Sequence, residues 1–319
     1  MKKVFFFRGL LYAGCLALLY TSCQNPASPA TPPAETQVDS QALRIERGRY
    51  LAFSVVNCMD CHSKFDIEKF SIPHVPGTEG GGGNALHEIF NGFPGTLYIP
   101  NITPAALGNW TDEEIARAIT RGINKSGDTL FPMMPYHFLN HMAEEDVRSV
   151  IAFIRTLKPI DSIPPRRQLA IPMAVFGPLP EGDYHQNKKP DTTDRLAYGK
   201  YLTTIAHCEE CHTTKTKEGR PDPTMRFAGG NTEPFRNFTV FTANITPDSA
   251  TGIGNWSEAA FIAKFRNSAD PKNLQTTPGK YNSYMRWAYF GTMRDDDLKA
   301  IYAYLRTVPP VKHAVVKWK

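Results

Sequence analysis

The chain has 319 residues, 41% of them hydrophobic and 21% charged, with 36 Lys and Arg against 31 Asp and Glu. That length suits about two domains of ~150 residues each, and the apolar content excludes an intrinsically disordered chain. A formal net charge of +5 is too small for a nucleic-acid footprint.

Lys2 and Lys3 precede an apolar run from Val4 to Tyr20, broken only by Arg8. This reads as a secretory signal peptide over 1–22; an uncleaved membrane anchor is the other reading, but no basic stop-transfer flank follows. Thr21-Ser22-Cys23 resembles a bacterial lipobox, although Tyr20 stands where a smaller aliphatic residue is usual. Cys23 is therefore expected to carry lipid and to anchor the protein on the periplasmic side of a bacterial membrane; plain secretion is the alternative. Residues 23–40 are rich in Pro, Ala, Ser and Thr and read as a flexible tether. Loss of Lys2, Lys3 and Arg8 leaves 33 basic residues against 31 acidic, so no nucleic-acid partner is expected.

From residue 41 the same succession of signals occurs twice, which marks a duplication. In the first copy, Arg47-Gly48-Arg49-Tyr50-Leu51 precedes Cys58-Met59-Asp60-Cys61-His62. C-x-x-C-H is the covalent attachment pattern for haem c. Thiols at Cys58 and Cys61, one helical turn apart, can each form a thioether to a haem vinyl group, and His62 falls in place as the proximal ligand. Gly82-Gly83-Asn84 follows, within a glycine run that reads as a flexible loop. Asn101-Ile102-Thr103-Pro104 reads as a turn. After Trp110, Thr111 and Glu114 form a capping-box pattern for a helix from Asp112 to about Arg121. A helix from Asp146 to Leu157, with Val147, Val150, Ile151 and Ile154 as its apolar stripe, closes a first domain spanning 41–160.

Residues 161–191 are Pro-rich and aperiodic, a linker whose apolar segment Leu169 to Met173 is expected to pack on a module. The second domain, 192–319, repeats the order: Tyr198-Gly199-Lys200-Tyr201-Leu202, then Cys208-Glu209-Glu210-Cys211-His212, Gly229-Gly230-Asn231 and Asn244-Ile245-Thr246-Pro247. Trp256 and the helix cap Ser257 follow. A closing helix from Asp297 to Val308 carries Leu298, Ile301, Tyr302 and Leu305. No strand-like alternation of useful length occurs.

For the sixth iron ligand, Met134 and Met285 lie 72 and 73 residues after His62 and His212, each just before the closing helix. A thioether is a soft ligand that favours ferrous iron; the other reading is a core methionine filling a gap. Met133 lacks a counterpart in the second copy, Met142 and Met293 suit core positions, and His137 and His141 have no histidine partners there. Trp110 and Trp256 suit either a haem propionate or core packing. Of the six cysteines, Cys15 falls in the signal and Cys23 takes lipid. The four CxxCH cysteines leave none for a disulfide. Zinc or redox-disulfide chemistry fits poorly, because the two CxxC pairs lie 150 residues apart.

Together these motifs resemble the cytochrome c subunits of membrane-associated bacterial alcohol and gluconate dehydrogenases and their diheme relatives, over about residues 41 to 319. The resemblance implies an all-α fold of two tandem class I cytochrome c-like helical domains, each around one covalent haem c. It also implies that Met134 and Met285, in MPY and MRW, ligate iron. Arg286 departs from the proline that follows the methionine in the family. Larger members carry three CxxCH modules where this chain has two, so direct quinone reduction does not carry over. The expected role is electron transfer without substrate chemistry, between a dehydrogenase and an acceptor such as another cytochrome or a terminal oxidase. The rival is a diheme enzyme of the cytochrome c peroxidase kind, which needs one open iron site.

Overall fold

The computed structural model describes residues 40–235 and 238–316. The expected signal peptide, nearly all of the expected tether and Cys23, the expected lipidation residue, lie outside the described residues. Eight helices frame the two copies. They are α1 (Ser40–Tyr50), α2 (Cys58–Cys61), α3 (Asp112–Arg121) and α4 (Glu144–Ile154), then α5 (Arg195–Ile205), α6 (Cys208–His212), α7 (Glu258–Ser268) and α8 (Asp295–Leu305). The first runs on into a π-helical turn, Leu51–Val55.

The local signals act as the side-chain chemistry requires. Thr111 Oγ1 accepts from the Glu114 amide at 3.2 Å while Glu114 Oε2 accepts from the Thr111 amide at 2.8 Å, so the capping box of α3 is complete. Ser257 supplies only the first half of that exchange to α7, accepting from Ala260 N at 3.1 Å. The closing helices begin two residues before the expected aspartates and end three residues earlier than expected. Each opens on three acids, Glu144-Glu145-Asp146 and Asp295-Asp296-Asp297, which favour a helix N-terminus. Val147, Val150, Ile151 and Ile154 are buried, as are Leu298, Ile301 and Leu305. Tyr302 is half-buried and donates to the Trp256 carbonyl at 2.6 Å.

The expectation of a purely all-α fold needs correction. Strand β1 (Gly95–Thr96) pairs antiparallel with β2 (Gln168–Leu169), and β3 (Thr232–Pro234) with β4 (Thr239–Phe241). Strands of two or three residues are too short to leave alternation in a sequence. The β1–β2 ladder fastens the Pro-rich segment along the first copy. There Phe176 meets the Phe131 ring at 4.9 Å and Tyr184 donates to Glu113 Oε2 at 3.0 Å.

Within each copy the first long helix crosses the closing one at a glycine. A Cβ on Gly48 would lie 1.8 Å from the Ser149 carbonyl oxygen, and one on Gly199 would lie 2.0 Å from that of Ala300. Only glycine permits so close a backbone approach. Between copies the bonding is reciprocal. Tyr50 Oη donates to the Asp297 carboxylate and accepts from Arg294 N at 3.0 Å. At the equivalent positions Tyr201 Oη donates to Asp146 Oδ2 at 2.6 Å and accepts from Ala143 N at 3.2 Å. Both copies lie in one compact unit.

Replacing Gly48 or Gly199 by Ala is expected to cost about 1–3 kcal/mol through overpacking, read as a lower guanidinium midpoint by circular dichroism. An unchanged midpoint for either variant would contradict the crossing.

Candidate haem attachment sites

Each CxxCH begins on a residue in the left-handed region, Asn57 at φ 60° and His207 at φ 43°. That turn interrupts the preceding helix, so that a new short helix can present the cysteines. At its end the histidine is held from behind. His62 Nδ1 lies 2.8 Å from the Pro100 carbonyl oxygen and His212 Nδ1 lies 2.7 Å from that of Ala243. A carbonyl only accepts, so Nδ1 carries the proton and Nε2 keeps its lone pair free for a metal. Burial lowers both imidazole pKa values, with the carbonyl bond opposing; both rings are neutral, as a ligand must be.

The Gly-Gly-Asn motif builds this arrangement. Gly82 N donates to the His62 carbonyl at 2.8 Å and Gly229 N to that of His212 at 2.6 Å. Gly82 and Gly229 adopt φ of +61° and +67°, and a Cβ on either would meet the Pro100 or Ala243 carbonyl oxygen at 2.5 or 2.4 Å. Asn84 Nδ2 donates to the carbonyls of Cys61 and Ser63 at 3.1 and 2.5 Å, bracketing His62. Asn231 Nδ2 does the same at Cys211 and Thr213, at 2.8 and 2.5 Å. The expected flexible glycine loop is thus a fitted backing for the histidine, at least from Gly82 to Asn84.

The Asn-Ile-Thr-Pro segments do more than turn. Asn101 Nδ2 donates to the carbonyls of Ile160 and Ser162 at 2.7 and 3.0 Å, and Thr103 Oγ1 accepts from Ile160 N at 3.2 Å. Asn244 and Thr246 repeat this with the Val311 carbonyl and amide, at 2.8 and 3.1 Å. Sequence reasoning missed both asparagine clamps. The duplicated motifs were their signal.

Cys58, Cys61, Cys208 and Cys211 form no disulfide and are partly buried. Burial pushes the thiols of Cys58 and Cys208 up to about 12 and that of Cys61 to about 11. Dithiol exchange proceeds through the thiolate, which a raised pKa disfavours. Among the described residues no three His, Cys, Asp or Glu side chains gather where they could hold a metal ion. Met134 and Met285 are half-buried on the same apolar cluster that Cys58 and Cys208 touch, together with Trp110. Met142 and Met293 are core residues, 0% and 1% exposed, whereas Trp256 is 37% exposed. His137 and His141 are at the surface. Two thiols on one short helix and an imidazole with a bare Nε2 make a donor set that fits haem c, twice.

No family model matches the chain. It is similar to the fructose dehydrogenase cytochrome subunit of Gluconobacter japonicus, 30% identical over 95% of this chain and 60% of that one. It is 28% identical to the cytochrome c subunit of an alcohol dehydrogenase (quinone) from Gluconacetobacter polyoxogenes, over 86% of this chain and 58% of the other. A diheme cytochrome c-type protein of Cereibacter sphaeroides matches at 30% identity over 68% of this chain and 73% of its own length. The chain thus spans about 60% of the length of the dehydrogenase subunits it matches.

His207, immediately before Cys208, gives a pH prediction. Burial first, then the facing Arg286 guanidinium, push its pKa from 6.5 down to about 3. The unfolded chain takes up a proton below pH ~6.5 that the folded protein refuses, so stability falls as pH drops from about 6.5 to 3, by up to ~1.4 kcal/mol per unit. His207→Gln should remove one proton's worth of that slope in urea unfolding across the range; an unaltered slope would mean the ring protonates freely when folded.

Proposed function

Because the chain belongs to the family of diheme c-type cytochromes and dehydrogenase cytochrome c subunits, we propose that it is a lipid-anchored, periplasmic electron-transfer protein with two haem c groups. In this reading each copy is one haem module, and the donor is a dehydrogenase, as the names of the relatives suggest. The acceptor is another cytochrome or a terminal oxidase. The observation that carries the reading is the histidine tether built twice behind a CxxCH, at His62–Pro100 and His212–Ala243.

When bound, each haem supplies a one-electron Fe(III)/Fe(II) couple. Cys58 and Cys61 would hold one group by thioether bonds, and Cys208 and Cys211 the other. His62 and His212 offer Nε2 to iron while the carbonyl behind each fixes its tautomer and aim. Met134 and Met285 would close the sixth positions, leaving no iron open to substrate and raising both potentials. Cys23 is the anchoring residue. Among the described residues no helix is long and apolar enough to cross a membrane.

Pyridine haemochrome analysis of the mature protein should give two haems c per chain, and its ferric electron paramagnetic resonance spectrum two low-spin signals. Met134→Leu and Met285→Leu should each convert one signal to high spin. A high-spin signal in the parent protein would overturn the closed-site reading in favour of a diheme peroxidase-like enzyme. Cys23→Ala should move the protein from the membrane fraction to the soluble periplasm.

A further inference from the structure

Arg286 stands where the first copy has Pro135, directly after Met285. Its side chain leaves its own copy and enters the attachment motif of the other. Nε lies 2.7 Å from Asp60 Oδ2, with the two side chains only 14% and 3% exposed. One terminal nitrogen donates to Cys61 Sγ at 3.7 Å and the other to His207 Nε2 at 3.1 Å. The Tyr284 ring lies 5.7 Å away. One guanidinium therefore touches the middle of the first CxxCH, its second cysteine, and the residue just before the second CxxCH. Glu209 pairs with Arg226 at 2.6 Å and Glu210 with Lys215 at 3.3 Å, all within the second copy.

Resting on the diheme reading above, we propose that Arg286 is a positioning residue joining the two attachment sites, and that with Asp60 it sets the local field at the haem held by Cys58 and Cys61. A guanidinium is charged at every working pH, and at 2.7 Å it keeps the Asp60 carboxylate as its partner. The pair is close to neutral as a unit; removing the carboxylate uncovers a guanidinium, whereas burial raises the pKa of an uncovered Asp60 carboxyl and reduces its charge. Ferric haem carries one more positive charge than ferrous. An uncovered carboxylate favours the oxidised form and lowers the potential; an uncovered guanidinium raises it. The bonds to Cys61 and His207 also tie the two motifs together at a single side chain, which fixes their mutual placement.

The test is a potentiometric titration of the full holoprotein, with haem stoichiometry measured on every variant. Asp60→Asn should raise the midpoint potential of one haem, and Arg286→Met should lower that of the same haem by less. The double variant should return towards the parent value, and Arg286→Lys should stay near it. A fold defect would move both single variants the same way, so opposite signs separate electrostatics from damage. If Arg286→Met does not retain two haems, Asp60→Asn and Arg286→Lys carry the comparison. Shifts of equal sign, or no shift with two haems in place, would overturn the role of Arg286. A parent protein lacking two haems c would instead overturn the diheme reading itself.

Discussion

Everything in each copy converges on one hydrogen bond, from an imidazole N–H to a backbone carbonyl. For His62 to present Nε2 in a fixed direction, the Pro100 carbonyl must itself be fixed, and the chain spends a long stretch doing so. Gly82 packs against one side of that carbonyl, at a distance no Cβ would allow. The next residue, Asn101, is bound to Ile160 and Ser162, beyond the end of α4. The closing helix thereby holds the turn, the turn holds the carbonyl, and the carbonyl holds the ring. The second copy repeats the series through Gly229, Ala243, Asn244 and Val311. Such backing orients a ligand and raises its basicity, which explains why motifs with no metal-binding atoms recur beside the CxxCH pairs.

The copies also depend on each other. Asp146 is fully buried and Asp297 is 6% exposed, positions where a carboxylate without donors would cost several kcal/mol. Each receives a tyrosine hydroxyl from the other copy, and Asp146 gains a two-pronged bond from Arg47, at 2.8 Å on each oxygen. The exchange of equivalent residues has the form of an isologous interface between subunits, here drawn within one chain. Separating the copies would strand these groups, and that is the physical reason for one unit in place of two beads on a linker.

Sequence patterns disclosed the elements whose signals are local or periodic: the duplicated CxxCH, the capping box at Thr111, the apolar stripes of α4 and α8, and the duplication as a whole. The missed features share a different physics. Side chains such as Asn101, Asn244 and Tyr50 bond to atoms 59, 67 and 247 positions away, and no window along the chain contains both partners. Two-residue strands lack alternation for the same reason that they are weak. The glycines of Gly82-Gly83 looked like slack because composition cannot distinguish a glycine needed for close approach from one that gives freedom.

Duplication fixes what both copies require and exposes where they part. Glycine crossings, histidine tethers, asparagine clamps and tyrosine–aspartate bonds occur in pairs at equivalent positions. At one aligned position they part: Pro135 stands where the second copy has Arg286. A buried ion pair contributes little net stability compared with an apolar packing of the same volume, so Arg286 and Asp60 are poorly explained as glue. Their geometry is better explained as asymmetry. With the same ligand set at both sites, potentials would differ only through what surrounds each one, and a directed relay would need that difference. The duplicated frame leaves the field around each site as one means of making that difference, and Arg286, which has no counterpart in the first copy, lies at such a place.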